Sequence, residues 1–442
     1  MAGATAKSLT PPPGLPMGGY GARQGTATGT HDDLMVRTLC LSDGDKEVAI
    51  AVCDFVGVPD HFVRRVRQRI EGELGIPAAA VCVAATHTHS GPSVVYSHRL
   101  DDYLERSANT VMQAIAKART DAVPAVLKLA TVPLDSIAQN RRDPAGRLQH
   151  EAHLLLAENE DTGMPIATLV NYACHATVLE HDNMEYSADF PGAACAFVER
   201  NVGGVGIYLQ GCCGDVNPVW MAHDFNDVDR VGGIVGAAAT RAVQEMRPLG
   251  RGQWGINLSW SEEIPEPPIT GRVLEMASLG FAVRRVELRQ RDLAPLDDIV
   301  EEIEKLEKSL AELPADDQKG RRPLLPRINQ LAMERLQQTY HQLRAPERRE
   351  VEVQVFRLSA NCALVALPGE FLVATRESLE RDAPVERLLV CGYANDYIGY
   401  VPPLEEFPNG GYEVGFARFA EDSEKLVRDA ALDALRELYE ER

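Results

Sequence analysis

Residues 47–89, "EVAIAVCDFVGVPDHFVRRVRQRIEGELGIPAAAVCVAATHTH", decide the fold class of this chain. The apolar run over 47–56 has the length of a buried strand, and residues 61–75 have helical spacing that stops at a glycine before a proline. A second apolar run follows over 78–86. A strand, a helix and a strand within about 40 residues predict a βαβ unit with two parallel strands in a covered sheet.

The same alternation of apolar runs and helical spacing continues along the chain. Strands are predicted near 125–133, 151–158, 165–173, 205–210, 252–262, 281–288, 350–359, 362–367 and 387–393. Helices are predicted near 100–119, 190–201, 228–246 and 420–440. Many strands with mixed connections favour an α/β fold, a layered mixed-sheet sandwich flanked by helices, over a strict eightfold barrel.

Residues 295–345 differ from the rest because they are rich in Leu, Glu, Lys, Arg and Gln with helical spacing. The stretch "LPADDQKGRRPLLP" interrupts them, which predicts a helical hairpin inserted between strands. Its charges are typical of a solvated face, with an oligomer contact as the alternative.

The chain of 442 residues is acidic, with 65 Asp and Glu against 45 Lys and Arg and a formal charge of -20. A field of that sign repels phosphate backbones and anionic lipid surfaces, which argues against nucleic-acid binding. The N-terminus lacks the apolar core of a secretory signal, and no run approaches the roughly 20 apolar residues of a membrane span. A cytoplasmic location is therefore expected, unless a signal has been removed. The nine cysteines are scattered through apolar segments, which is typical of reduced core residues.

His87 and His89 follow the second strand of the βαβ unit, at the carboxyl end where α/β folds place their chemistry. In an extended segment, side chains two positions apart face the same way, so both imidazoles can reach one site. Neutral imidazole is a strong zinc ligand. The pair therefore favours a metal or catalytic site over a satisfied polar strand end.

Three later strands also end in polar residues that could join such a site. His175 follows one strand, and a polar loop then brings Asp189. Asp215 and Asn217 follow the next, and Glu370 follows a strand much later in the chain. Strand ends that carry Gly, Pro and a potential ligand are typical of the rim of one site, although no spacing rule proves that they converge.

Five motifs occur in order along the chain. They are THTHSGP (86–92), NYACHATVL (171–179), GDVNP (214–218), LPGEF (367–371) and ANDYIGYVPPLEEFPNGGYE (394–413). In this order they resemble the neutral, non-lysosomal ceramidase family, and specifically its N-terminal catalytic domain. The opening stretch over 17–41 is similar to that domain's first strand region. The resemblance implies that residues 1–442 form a single ceramidase-like catalytic domain, apart from the helical insertion.

The resemblance also implies a zinc ion held by two histidines, a glutamate and a tyrosine. Carried over motif by motif, the zinc ligands are His87, His175, Glu370 and Tyr400. The implied catalytic residues are His89 beside the substrate, Arg141 of "QNRRDP" on the substrate's polar head, Asn217 at the position of a family serine, and Tyr412 in the last motif.

Such a ligand set leaves an open position for water, whose pKa zinc lowers to about 7. The implied reaction is hydrolysis of an N-acyl amide, ceramide or a smaller N-acylated compound, by attack of zinc-bound water. The metal, His89 and Arg141 would together stabilise the oxyanion. The expected partner is thus a small-molecule or lipid amide, with no nucleic acid and no transmembrane segment, and with a homo-oligomer left open.

Two departures from the family keep alternatives open. Asn217 stands where the family has serine, and asparagine cannot be an acylated nucleophile, so direct attack by hydroxide is the more economical mechanism. The chain stops after a helix at "LRELYEER", where larger members continue into an immunoglobulin-like domain, so a short form is expected. The alternatives are a deacetylase of small amides or amino sugars, a catalytically weak metal-containing binding protein, and a metal-dependent amidohydrolase barrel with its own His-x-His.

Overall fold

The structure, a computed structural model, describes residues 1–95, 100–134, 136–246, 272–274, 278–314, 317–339 and 347–440. Within these ranges the strands form three sheets of four or five strands and three short two-stranded pairs, with helices packed on the sheets. The predicted class, a layered mixed-sheet α/β sandwich flanked by helices, is confirmed. No closed barrel forms among the described residues, which argues against the amidohydrolase-barrel alternative.

The strands are numbered in chain order. In the first half of the chain they are β1 (Ala2–Ser8), β2 (Gly29–Thr30), β3 (Met35–Ser42), β4 (Glu47–Cys53), β5 (Val81–Ala85), β6 (Ala125–Pro133), β7 (Ala138–Asn140), β8 (Glu151–Asn159), β9 (Pro165–Tyr172), β10 (Glu185–Tyr186), β11 (Val205–Gln210) and β12 (Val216–Pro218). In the second half they are β13 (Arg272–Val273), β14 (Gly280–Arg289), β15 (Arg348–Arg357), β16 (Cys362–Ala366), β17 (Glu370–Phe371), β18 (Arg387–Cys391) and β19 (Tyr400–Val401).

The described α-helices are also numbered in chain order. They are α1 (Asp60–Leu74), α2 (Asp101–Thr120), α3 (Asp189–Val202), α4 (Phe225–Met246), α5 (Leu296–Glu312), α6 (Gln318–Arg321), α7 (Leu324–Thr339), α8 (Val373–Asp382), α9 (Tyr412–Phe416) and α10 (Ser423–Glu440).

The βαβ unit predicted from residues 47–89 is present. β4 and β5 are parallel neighbours, with Ala49 opposite Val81. Between them α1 ends at Gly75, whose φ of 72° is the left-handed conformation that glycine adopts readily at a helix end. The unit belongs to a sheet of order β1-β3-β4-β5, in which the β1–β3 and β3–β4 pairs are antiparallel. All five residues of β5 are buried, as expected of a strand in a covered sheet.

The second sheet has the order β11-β9-β8-β6-β13, and only β11 and β9 are parallel. The third has the order β14-β15-β16-β18, and only β16 and β18 are parallel. The predicted strands of both sheets lie within two residues of their observed bounds. The strand predicted near 252–262 lies outside the described residues.

Two buried apolar clusters hold these layers together. The larger joins the first two sheets with α1, α2, α3 and α4, and the smaller lies between the third sheet and α10. All nine cysteines are buried and free of disulfides, as predicted. None of the described helices combines the length and apolar character needed to cross a membrane.

The helical hairpin is present as α5 and α7, which pack together through Ile299, Ile303 and Leu331. Residues 340–346, at its predicted end, lie outside the described residues. The charged side chains of α5 are largely exposed, as predicted. Helix α7 departs from the predicted solvated face, because it packs against α9 and buries three polar side chains: Gln330, Glu334 and Gln337.

Candidate metal centre

Strands from all three sheets end at one place, because backbone hydrogen bonds tie their ends together. Ala85 N at the end of β5 donates to Tyr393 O beyond β18 (3.1 Å), and Gly392 N donates to Gln210 O at the end of β11 (3.0 Å). β9 lies beside β11 in parallel register. The residues that follow these strands therefore face one another.

His87 is directed into this meeting point by a turn. Its backbone φ of 66° is left-handed, a conformation that is uncommon outside glycine and that clusters at functional sites. His87 and His89 therefore do not share one face of an extended segment, and the predicted reason for their proximity is wrong. His87 Nδ1 lies 2.5 Å from Val56 O, so Nδ1 carries the proton and Nε2 keeps its lone pair.

His175 is held in the same way. Its Nδ1 lies 2.7 Å from Cys213 O and 3.1 Å from Val216 O, which again leaves the lone pair on Nε2. Nε2 is buried and makes no hydrogen bond within the described part of the chain. Burial, followed by the charge of Arg141, lowers the pKa of His175 to about 4, so the ring is neutral at pH 7. A buried, neutral, unpaired nitrogen is suited to metal ligation.

Glu370 faces both of these nitrogens. Its Oε2 lies 3.5 Å from His87 Nε2 and 3.4 Å from His175 Nε2, and the carboxylate is 3% exposed. These separations exceed those of good hydrogen bonds. Tyr397 Oη donates to the other oxygen, Oε1, and the Tyr393 ring stacks on His87 with ring centroids 4.0 Å apart. Tyr393 Oη also donates to Oε2 (3.4 Å), so each carboxylate oxygen meets a phenol and Oε2 in addition faces the two imidazoles.

His89 lies against the same group but is held differently. Its Nε2 is 3.2 Å from His87 Nε2, and its ring packs edge-on against Tyr20 with centroids 4.8 Å apart. Its Nδ1 is buried and has no hydrogen-bond partner among the described residues, so no carbonyl there fixes the tautomer. Burial, followed by the neighbouring imidazoles, lowers the pKa of His89 well below its usual range.

These side chains fit a metal ion. One nitrogen from each of His87, His89 and His175 lies within 4.8 Å of the others. Glu370 adds an anionic oxygen beside His87 and His175. The nitrogen of each of these histidines that points away from the group, Nδ1, donates to a backbone carbonyl and is called the outer nitrogen. Metal-ligating histidines usually have that outer hydrogen bond, and a set of imidazoles with a carboxylate suits zinc.

Arg141 organises a second cluster beside the histidines. Its Nε donates to Glu413 Oε1 (2.7 Å), its Nη1 to Asn217 Oδ1 (3.3 Å) and its Nη2 to Tyr400 Oη (2.9 Å). The antiparallel pairing of β7 with β12 places Asn217 opposite Gln139, two residues before Arg141. Two of the predicted site residues, Asn217 and Tyr400, therefore share the guanidinium of a third, Arg141.

The predicted tyrosines connect the two clusters. Tyr400 is the direct partner of Glu370 in the parallel β17–β19 pair. This close approach requires glycine at position 369, where a Cβ would lie 2.7 Å from Gly399 O. Tyr412 packs edge-on against Tyr400, with ring centroids 5.6 Å apart, and 43% of it is exposed. Tyr412 therefore lies at the open side of the Arg141 cluster.

Glu413, which was not predicted from the sequence, holds Arg141 in place. Glu413 is buried and accepts from both Arg141 and Arg142, and Arg142 also donates to Glu406 Oε2 (2.9 Å). Burial raises the pKa of Glu413, but the two arginines lower it more, to below its usual value. A signal was available, since Glu413 directly follows Tyr412 and two adjacent arginines need a counter-charge when buried.

Asp189 and Asp215 do not join either cluster. Asp189 accepts from the backbone N–H groups of Leu179 (3.1 Å) and Phe190 (2.6 Å). Asp215 accepts from Val373 N (3.0 Å) and from an asparagine side chain. Both carboxylates therefore fix the loops that follow β9 and β11 rather than facing the histidines.

The fold and the histidine group define a layered α/β protein with a candidate metal centre at its strand ends. Residues 2–218 match the family described as "Neutral/alkaline non-lysosomal ceramidase, N-terminal". This part of the chain belongs to that family, and the resemblance drawn from the motifs is confirmed. Membership supports a hydrolase of the amidohydrolase type.

Two solved structures share the fold. The crystal structure of neutral ceramidase from Pseudomonas aeruginosa has a TM-score of 0.71 and 19% sequence identity, and the match covers 99% of this chain and 74% of that chain. A second structure, "Ceramidase complexed with C2", has a TM-score of 0.72 and 18% identity, and the match covers 99% of this chain and 75% of that chain. At such identities the similarity shows the fold alone. No curated protein matches the sequence.

Proposed function

We propose that the protein is a zinc-dependent hydrolase that cleaves an N-acyl amide bond, with ceramide or a smaller N-acylated compound as its substrate. The family match over residues 2–218 and the names of the two structural neighbours support this substrate class. The observation that carries the proposal is the buried group in which two imidazole nitrogens and one carboxylate oxygen face one another. In this proposal residues 1–442 act as one catalytic domain, with 295–345 as an insertion.

The proposed zinc ligands are His87 Nε2, His175 Nε2, Glu370 Oε2 and Tyr400 Oη. The first three are supported by their mutual distances, and Tyr400 by its register with Glu370. When bound, zinc supplies a water nucleophile at neutral pH, because it lowers the pKa of its water to about 7. His89 is assigned to the substrate side, since its outer nitrogen lacks the carbonyl partner that the two ligand histidines have.

Arg141 and Asn217 bind the amide carbonyl in this proposal. Because Asn217 Oδ1 accepts from Arg141, its Nδ2 is the atom that remains to donate. Donors from the two side chains stabilise the carbonyl oxygen as it gains negative charge. His89 Nε2, the nitrogen that faces His87, would take the proton released by the attacking water and deliver it to the departing amine. Tyr412 borders the open side, where the polar end of the substrate enters.

Asn217 directs the reaction toward direct hydrolysis. An amide side chain cannot form an acyl ester, so attack by water needs no covalent intermediate on this residue. Its contact with Arg141 supports an oxyanion-binding role rather than a nucleophilic one.

The test measures metal content and product release together. The purified protein, loaded with zinc, is incubated with labelled ceramides, N-acyl amino acids and acetylated amino sugars, and with His175→Ala as the control. The expected result is one zinc per chain and fatty-acid release from an N-acyl amide, both lost in the control. Cleavage of acetylated sugars alone would support the deacetylase alternative. No hydrolysis of any amide at one zinc per chain would overturn the proposal.

A further inference from the structure

Helix α9, which carries Tyr412 and Glu413 to the site, has only five residues. A helix this short cannot hold its own conformation, because its few internal hydrogen bonds do not offset the ordering of the backbone. Its position must come from its neighbours. One neighbour is the site itself, where Glu413 accepts from Arg141 and Arg142.

The other neighbour is the helical hairpin. Arg291 Nη1 donates to Val414 O (2.6 Å), and its Nη2 donates to Glu334 Oε1 on α7 (2.6 Å). Glu334 also accepts from Gln330 Nε2 (2.8 Å), and Gln337 Nε2 donates to Gly415 O. The buried polar residues of α7 thus bind the backbone of α9 directly or through Arg291.

Gly415 allows α7 and α9 to approach this closely. A Cβ at position 415 would lie 2.7 Å from Gln330 O and 2.6 Å from Met333 Cβ. The first of these contacts is with backbone, which cannot move aside as a flexible side chain would. The backbone of Gly411 also donates to Pro326 O (3.2 Å), so α7 contacts α9 near both of its ends.

We propose that Arg291 and helix α7 position the Tyr412–Phe416 segment, and through Glu413 the Arg141 guanidinium, for the hydrolysis described above. The expected effect on hydrolysis rests on the proposed function. The positioning of the Tyr412–Phe416 segment by α7 does not. Arg291 is a positioning residue, since it contacts Val414, Glu334 and the ring of Phe407 rather than the histidine group. The hairpin is then part of the active-site wall.

The experiment compares Arg291→Gln and Gly415→Ala with the wild type and with Arg327→Gln. The control variant breaks a hairpin ion pair, Arg327 with Glu302, in which both side chains are more than 40% exposed and which does not involve α9. Zinc content, kcat and KM for the best amide substrate, and hydrogen exchange of peptides covering 410–416 and 81–90 are measured for each. Arg291→Gln removes hydrogen bonds to α9, whereas Gly415→Ala adds a Cβ between α7 and α9. If one variant fails to fold, the other still tests the inference.

Both test variants are expected to raise exchange at 410–416 by at least about tenfold and to lower kcat/KM by about 10 to 100-fold, because a small misplacement of a positioned group has effects of that size. Exchange at 81–90 and zinc content should stay at the wild-type level, and Arg327→Gln should match the wild type throughout. Unchanged exchange at 410–416 in both variants would overturn the inference, as would raised exchange with unchanged kcat/KM. If the wild type cleaves no amide, the proposed function fails, and exchange alone decides whether α7 holds the segment.

Discussion

Glu370 and Tyr400 face each other in register across a parallel pair with only two residues on each strand. The pairing brings a buried carboxylate beside the histidine group and a phenol onto Arg141, although thirty positions separate them along the chain. A short strand pair is therefore the element that joins the candidate metal centre to the candidate oxyanion-binding cluster.

Tyr397 should matter for metal affinity, although it is not a proposed ligand. Its hydroxyl donates to Glu370 Oε1 and leaves Oε2 directed at the imidazoles. Loss of such an outer hydrogen bond lowers metal affinity by about 10 to 100-fold. Tyr397→Phe is therefore expected to weaken zinc binding by that factor in a chelator competition. Tyr439→Phe is the matched control, because it removes a hydroxyl that donates to Ser359 O and Cys362 O, neither of which belongs to a proposed site residue.

His87 and His89 should respond differently to substitution. His87→Ala is expected to reduce zinc affinity by more than about 100-fold. This is a larger loss than removal of a residue that only hydrogen-bonds to a ligand would cause. His89→Ala should retain one zinc per chain and lose about 100-fold or more in kcat, the size expected for a general acid or base. Metal analysis beside steady-state kinetics separates the two. Loss of zinc in His89→Ala would instead support the three-histidine ligand set.

Asn217→Ala should lower the rate without affecting the metal. Removal of one oxyanion donor typically lowers kcat by about 100 to 1,000-fold, and Asn217 contacts Arg141 rather than the histidines. Zinc content should stay at the wild-type value. Asn217→Ser is the informative companion. An inert wild type that gains hydrolysis on this substitution would favour the binding-protein alternative.

His153 predicts a pH dependence of stability outside the site. It is buried, its Nδ1 donates to Leu388 O (3.1 Å), and its Nε2 accepts from Arg376 (3.3 Å). Burial, followed by Arg376, lowers the pKa of His153 to about 4, against about 6.5 in the unfolded chain. Between pH 4 and pH 6.5 the unfolded state therefore binds more protons than the folded state. The stability that neutral, buried His153 contributes is complete above pH 6.5 and is lost as pH falls toward 4.

The difference between the folded and unfolded pKa of His153 changes the free energy of unfolding by at most about 3 kcal/mol. Urea unfolding of the wild type and of His153→Gln should differ most at pH 7, and the difference should shrink by up to that amount near pH 4. His181→Gln, at a half-exposed position, serves as the control and should follow the wild type. A constant difference between wild type and His153→Gln at all pH values would contradict the assignment.

Strand and helix positions could be predicted closely because each depends on a local pattern. The apolar runs that became β6, β9 and β11 are bounded by polar and glycine-rich residues, and this pattern is visible in the local sequence alone. The rim of strand ends was also predictable, since polar residues follow each run.

The convergence of those ends was not predictable from spacing. It depends on bonds such as Gly392 N to Gln210 O, which join different sheets. The left-handed backbone of His87 likewise has no local signal, because histidine tolerates that conformation without requiring it. Glu413 was not predicted because its contact with Arg141 joins two positions more than 250 residues apart in the chain.

The most direct test of the central claim is the position of bound zinc. Crystals grown with zinc, measured on both sides of its absorption edge, should give one strong anomalous peak between His87 Nε2, His175 Nε2 and Glu370 Oε2, with Tyr400 Oη directed at it. A fully loaded protein whose only zinc peak lies away from His87 and His175 would contradict the account.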